Sequence, residues 1–231
     1  MNTLEERKTD EYNEIYKSIN NFIISKDIFI FSKLISRIDI FKKVINIPGD
    51  ILDCGVFKGS SFFTFAKLLS IYSPNSIKKV IGFDLFNTTI FNSNNVTNVE
   101  NDSVNDFLKF AGKNDDYYSI IKDVLSSNIL LRNNEIIKGD ISKTIKVFFE
   151  ENPGCRISLL HLDLDKAEPT KIVLDECWDK ISKGGIILCD EYGIHKWNES
   201  NIIDSFLSDK TDYEIISINT SESPTAYIIK K

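Results

Sequence analysis

Ile157-Ser158-Leu159-Leu160-His161-Leu162-Asp163-Leu164-Asp165 and Gly185-Ile186-Ile187-Leu188-Cys189-Asp190-Glu191 are two short apolar runs, each closing on a pair of carboxylates. Runs of this length read as buried strands. An acid at the end of such a strand is solvated, caps the next helix or binds something, because burying a lone charge is costly. In an open parallel sheet the carboxyl ends of neighbouring strands share one crevice, where ligands bind. The four acids can therefore converge, although they are far apart in sequence. Convergence would supply oxygen ligands for a hard divalent cation and leave a carboxylate over as a base. Period-2 alternation puts Asp163 and Asp165 on one face while the strand persists, with His161 deeper on that face as a buried, hydrogen-bonded residue.

The flanking sequence alternates strand and helix patterns. Strands are expected at 51–54, 80–84 and 135–138, and helices at 60–70, 117–130 and 141–150. After the first apolar run a helix opens at Pro169 or Thr170 and is stopped by Lys183-Gly184-Gly185. A helix at 202–208 and closing strands at 213–219 and 225–229 complete the chain. The order predicts an α/β fold, a Rossmann-like doubly wound sheet, mostly parallel with a C-terminal antiparallel strand. Residues 1–46 carry two helical patterns, with Ile15, Ile19, Phe22 and Ile23 on one face, and read as an N-terminal helical cap of the same domain. Its amphipathic helices suggest a homodimer contact. Residues 47–231 form the main domain, and the Asn-, Asp- and Ser-rich stretch 87–116 reads as a mobile lid with a short helix at 103–110.

Composition narrows the classes of function. The 231 residues carry a formal net charge of −6, so no general attraction to a nucleic-acid backbone is available. No stretch approaches the roughly 18 apolar residues of a membrane span, and the charged N-terminus lacks an apolar signal core. Cys54, Cys155, Cys177 and Cys189 form no CxxC pair and read as core residues in a reducing compartment. A cytoplasmic protein is expected.

Asp53-Cys54-Gly55-Val56-Phe57-Lys58-Gly59-Ser60-Ser61 sits between a strand and a helix. Glycines at 55 and 59 let backbone approach a ligand, and the helix start offers N–H donors to a carboxylate or phosphate. The turn is neither GxGxxG nor GxxxxGK[ST], which argues against a dinucleotide and a nucleoside triphosphate. Asp84 ends the second strand, where an acid can accept hydrogen bonds from ribose hydroxyls. Asp140 ends the third, within reach of an adenine edge. Each alone also reads as a turn or N-cap carboxylate. Together they fit a nucleoside with a zwitterionic tail, S-adenosylmethionine, with Asp53, Gly55, Gly59, Ser61, Asp84 and Asp140 around it.

The segment from Ile47-Pro48-Gly49-Asp50 through Ser61 resembles the opening motif of the macrocin-type (TylF/MycF) sugar O-methyltransferases. Leu160-His161-Leu162-Asp163-Leu164-Asp165, Glu168-Pro169-Thr170 and the segment from Gly184 to Gly193 resemble its later motifs, so the likeness spans 47–193. The resemblance implies a class I methyltransferase fold and methylation of a sugar hydroxyl by S-adenosylmethionine. It further implies a magnesium ion on Asp163, Asp190 and Glu191, with Asp165 as the base. The family usually has two aspartates where this chain has Asp190-Glu191, and a Leu-Tyr where it has Lys166-Ala167.

The expected reaction is in-line transfer of a sulfonium methyl group to a hydroxyl of a sugar or nucleotide sugar. His195, in the loop after Asp190-Glu191, is a further candidate for substrate contact or a second base, and Trp197 and Tyr192 could stack on a sugar or pack in the core. A metal-dependent catechol or phenol O-methyltransferase is the rival enzyme. A non-catalytic cofactor-binding protein on the same fold is the rival of another class.

Overall fold

The computed structural model describes residues 10–87, 106, 108–109, 111–112, 115–196 and 198–231. Most of the expected lid therefore lies outside the described residues, as does Trp197. Helices α1 (Asp10–Ile24) and α2 (Phe29–Val44) precede β1 (Asp50–Cys54), α3 (Ser60–Tyr72) and β2 (Val80–Asp84). Next come α4 (Tyr117–Ser127), β3 (Glu135–Lys138), α5 (Ile141–Glu151) and β4 (Ile157–Leu162). Helix α6 (Ala167–Cys177), a single 3-10 turn (Trp178–Lys180), β5 (Ile181–Cys189), α7 (Glu199–Leu207), β6 (Tyr213–Ser217) and β7 (Ala226–Lys230) follow.

The seven strands stand in the order β3-β2-β1-β4-β5-β7-β6. Strands β1 to β5 pair in parallel, and β7 runs antiparallel to both β5 and β6. The sheet is buried on both faces, which is why β1 and β4 are buried almost throughout and show no inward-outward alternation. On one face Phe41 and Val44 of α2, Phe62 and Phe65 of α3, and Ile121 of α4 pack on Ile51, Leu159 and Leu188. On the other, Ile145 of α5, Val173 of α6 and Ile203 of α7 pack on Leu52, Leu160 and Ile187. The chain moves outward from β1 to β3, then returns to place β4 on the opposite side of β1. That reversal opens the crevice at the carboxyl ends of β1 and β4.

Three of the boundaries that differ from expectation bear on the site. β4 ends at Leu162, so both acids of its pair lie beyond the strand, and Asp165 takes a left-handed φ of 55°. The chain bends there, and strand alternation no longer decides where Asp165 points. β5 begins at Ile181, because the backbone passes through Lys183-Gly184-Gly185 in strand pairing with a register shift. Helix α6 begins at Ala167, with Pro169 in its first turn, where a missing N–H is tolerated.

Candidate active site

Register assembles the deepest layer of the site. Asp53 of β1 stands opposite His161 of β4, and His161 opposite Leu188 of β5, two residues before Asp190. All three polar residues share the face covered by α2 and α3, and all three are 0% exposed. His161 Nδ1 lies 2.5 Å from Asp53 Oδ1, and Nε2 lies 2.9 Å from Asp190 Oδ1. Both partners are carboxylates, so both ring nitrogens donate and the ring is an imidazolium. Burial works against that charge, but the hydrogen bonds to Asp190 and Asp53 outweigh it and raise the pKa to about 9. Ser61 Oγ donates to Asp53 Oδ2 at 2.8 Å. Asp53 and Ser61, both expected around a cofactor, have side chains engaged within the protein. Both side chains are buried and spent on each other and on His161.

Asp190 is saturated as well. Its Oδ2 accepts from Lys33 Nζ at 2.6 Å and from Ser223 Oγ at 2.5 Å. Burial opposes its ionisation, yet the Lys33 charge and the His161 hydrogen bond hold its carboxyl well below the usual range. Among the described residues, two groups bring candidate ligand atoms within 4.8 Å of one another: His161, Asp163 and Asp190, and Asp163, Asp165 and Glu191. The implied set of Asp163, Asp190 and Glu191 is not one of them. Asp163 and Glu191 do meet, but with Asp165, while Asp190 faces inward to Lys33 and His161.

The outer group lacks comparable partners. Burial, then the charge of Asp190, pushes Asp163 up to about 8. Burial and Asp190 push Asp165 up to about 6. Burial and the neighbouring acids, Asp165 first, raise Glu191 well above its ordinary value. Glu199, at the start of α7, accepts from the Glu191 backbone N–H at 2.7 Å, and its other oxygen is buried without a partner. Burial pushes Glu199 up to about 8. Asp165, Glu191 and Glu199 line a cavity of about 10 Å³, room for one water-sized sphere.

The other half of the crevice is ordered by backbone. Gly55 has φ 101°, and a Cβ there would stand 1.7 Å from the Asp163 carbonyl oxygen, so only glycine fits where β1 passes β4. Asp84 accepts from Phe57 N and Phe86 N, each at 2.7 Å, pinning the glycine turn to the end of β2. Asp140 caps α5, accepting from Ser142 N at 3.1 Å. Gly59 is the N-cap of α3 with φ 91°, and it offers the first-turn amides no side-chain acceptor.

His195 is exposed in the turn after β5, and Tyr192 donates to Asp204 Oδ1 at 2.7 Å while packing on the core. Lys33 and Glu199 were missed by sequence reasoning. Lys33 sits among ordinary helical lysines, and Glu199 reads as a first-turn acid; only the tertiary packing brings either to Asp190 or Glu191. A cavity of about 510 Å³ lies between α2 and α3, and none of these acids lines it.

The fold is that of known methyltransferases. The chain is similar to the apo structure of CalS11, a TDP-rhamnose 3'-O-methyltransferase, at 22% identity over 96% of this chain and 95% of that one, with a TM-score of 0.68. The O-methyltransferase NovP matches at 17% identity over 87% and 79% of the two chains, TM-score 0.68. An O-methyltransferase from Bacillus cereus in complex with SAH matches at 13% identity over 97% and 92%, TM-score 0.57. No curated protein sequence matches significantly. The profile of the macrocin O-methyltransferase (TylF) family matches residues 33–220, so this chain belongs to that family and is an O-methyltransferase.

Proposed function

We propose that the chain transfers a methyl group from S-adenosylmethionine to a hydroxyl of a sugar or nucleotide sugar, assisted by a divalent cation such as Mg2+. The observation that carries the cation is the crowding of Asp163, Asp165 and Glu191 within 4.8 Å, beside a buried, half-satisfied Glu199. Like charges this close raise each other's pKa, and a bound cation removes that penalty. Hard oxygen donors suit magnesium. The sugar acceptor is supported by the family and by CalS11, whose own substrate is a TDP-linked sugar.

The residues fit the methyl donor too. Asp84 and Asp140 stand at the ends of β2 and β3, each anchored by amides and with acceptor capacity for ribose hydroxyls and an adenine amine. S-adenosylmethionine supplies an activated methyl whose departure leaves a neutral thioether, so most of the task left to the protein is positioning, where orientation contributes about 7–11 kcal/mol in favourable cases. A bound cation would supply charge opposite a developing alkoxide. Asp163 and Glu191 would hold it, and Asp190 would join them only if Lys33 released its Oδ2.

Asp165 is the proton acceptor in this reading. Its pKa of about 6 keeps it largely ionised at neutral pH, whereas Asp163 at about 8 is not without a cation. His195, exposed nearby in sequence to Glu191, is the second candidate for acceptor contact. The test is a labelled-methyl assay with nucleotide sugars, glycosides and catechols, run with and without chelator. Methylation of sugars that stops on chelation supports the reading. Methylation confined to catechols would replace the acceptor, and turnover indifferent to chelation would remove the cation.

A further inference from the structure

Of the two acids that follow β5, Asp190 is held by a cation that the chain itself supplies. Lys33 lies in the first half of α2, and its Nζ donates to Asp190 Oδ2 at 2.6 Å and to Ser223 Oγ at 3.0 Å. Burial opposes the ammonium, but the charges of Asp190 and then Asp163 more than offset it, so Lys33 stays protonated. The lysine thus answers to two of the three acids on which the family likeness implies a magnesium ion. The pair is also asymmetric. The Asp190 side chain is 0% exposed, whereas that of Lys33 is 31% exposed and has a route to solvent. A lysine is a compact charge on a flexible stem, so it withdraws more readily than a planar guanidinium fork.

Asp190 keeps compensation if Lys33 leaves. The His161 imidazolium stays on Oδ1, and Ser223 Oγ stays on Oδ2. Arg37, one turn along α2, is 5% exposed, donates to Ser60 Oγ at 3.1 Å and adds its charge to Asp190. Removing one partner of a buried ion pair is costly when it strands the other, and here the other retains a second pair. The segment that carries Lys33 is itself lightly held. The buried apolar residues of α2, Ile40, Phe41 and Val44, lie in its second half, while Phe29, Ile30 and Ile35 are exposed. Polar contacts tie the first half down: Lys33 to Asp190 and Ser223, and Ser36 Oγ to Thr220 Oγ1 at 2.9 Å.

We propose that Lys33 is an exchangeable counter-cation, which neutralises Asp190 in the metal-free protein and competes for it with a divalent cation held by Asp163 and Glu191. The inference rests on the cation reading above and adds the regulation of that site. Two positive charges at one carboxylate repel each other, so Lys33 sets how tightly the ion is held. By linkage the ion sets how firmly the first half of α2 is held, because the same ammonium is one of its few ties.

The test titrates Mg2+ by calorimetry into the full, metal-free chain with saturating S-adenosylhomocysteine, for the wild type, Lys33→Gln and Lys33→Arg. Glutamine keeps a donor for Asp190 and removes the charge; arginine keeps the charge. The expected result is Mg2+ affinity about ten- to hundredfold tighter in Lys33→Gln and within about threefold of the wild type in Lys33→Arg. Hydrogen exchange supplies a second readout. Mg2+ should speed exchange of the amides of residues 29–36 in the wild type. In Lys33→Gln, exchange there should be fast before Mg2+ is added and indifferent to it. Unchanged or weaker Mg2+ binding in Lys33→Gln would make the lysine a fixed structural partner of Asp190 and overturn the proposal. Wild-type exchange in α2 that ignores Mg2+ would overturn it too, and decides alone if Lys33→Gln does not fold. Absence of Mg2+ uptake by all three proteins, with S-adenosylhomocysteine bound, would instead overturn the cation reading itself.

Discussion

At the ends of β2 and β3 the carboxylates face backbone amides, whereas at the ends of β4 and β5 they face one another. Asp84 takes two amides and Asp140 takes one, so each acid there is anchored before any ligand arrives. In the other half, Asp190 alone is neutralised, by Lys33 and His161, and Asp163, Asp165 and Glu191 are left crowded. The first half is anchored by backbone, and the second keeps a repulsion that, in the proposed reading, a bound cation would relieve.

The largest effect expected is on turnover. Asp165→Asn should lower kcat by about 10²–10⁴-fold, the range for a general base, with S-adenosylhomocysteine affinity unchanged in calorimetry. Loss of cofactor affinity instead would mean that the two halves are not separable. Next comes His161→Leu, which leaves Asp53 and Asp190 buried without their shared imidazolium. Denaturant titration should show a loss of about 3–5 kcal/mol. A neutral result would mean that the deep layer is not ionic.

A third prediction concerns pH. The folded carboxyls of Asp163 and Glu199 titrate at about 8, against about 4 in an unfolded chain. Their protons therefore favour the fold at low pH, and that stability is lost as pH rises through about 8. The imidazolium of His161 has the same sign, contributing fully below 6.5 and lost through about 9. Thermal melts of metal-free protein should fall from pH 6 to 9, and added Mg2+ should flatten the fall. A rising melting temperature would contradict the crowding. The smallest effect is at the ordered half: Asp140→Ala should cost about 0.5–2 kcal/mol by loss of the α5 cap.

The fold was legible because buried strands and their glycine turns leave local marks. The run 157–162 and the turn at Gly55 and Gly59 announced a parallel sheet and its crevice, and the order of β1 to β5 followed. The acids of the site were legible for the same reason, since each ends a strand. What they do was less so. Asp53 and Ser61 carry the marks of ligand contacts, yet register sets Asp53 against His161, and helix α3 brings Ser61 down onto it. Lys33, Arg37 and Glu199 left no mark at all, because a charged residue on an amphipathic helix looks alike whether it meets water or a buried carboxylate. Alternation could not place Asp165, since it holds only until β4 ends at Leu162, yet Asp165 still meets Asp163 and Glu191.

The most direct measurement is a calorimetric titration of metal-free protein with Mg2+ in the presence of saturating S-adenosylhomocysteine, repeated on Asp163→Asn. One ion should bind the wild type and be lost in the variant, with cofactor binding intact in both. A wild type that binds S-adenosylhomocysteine but takes up no ion would contradict it.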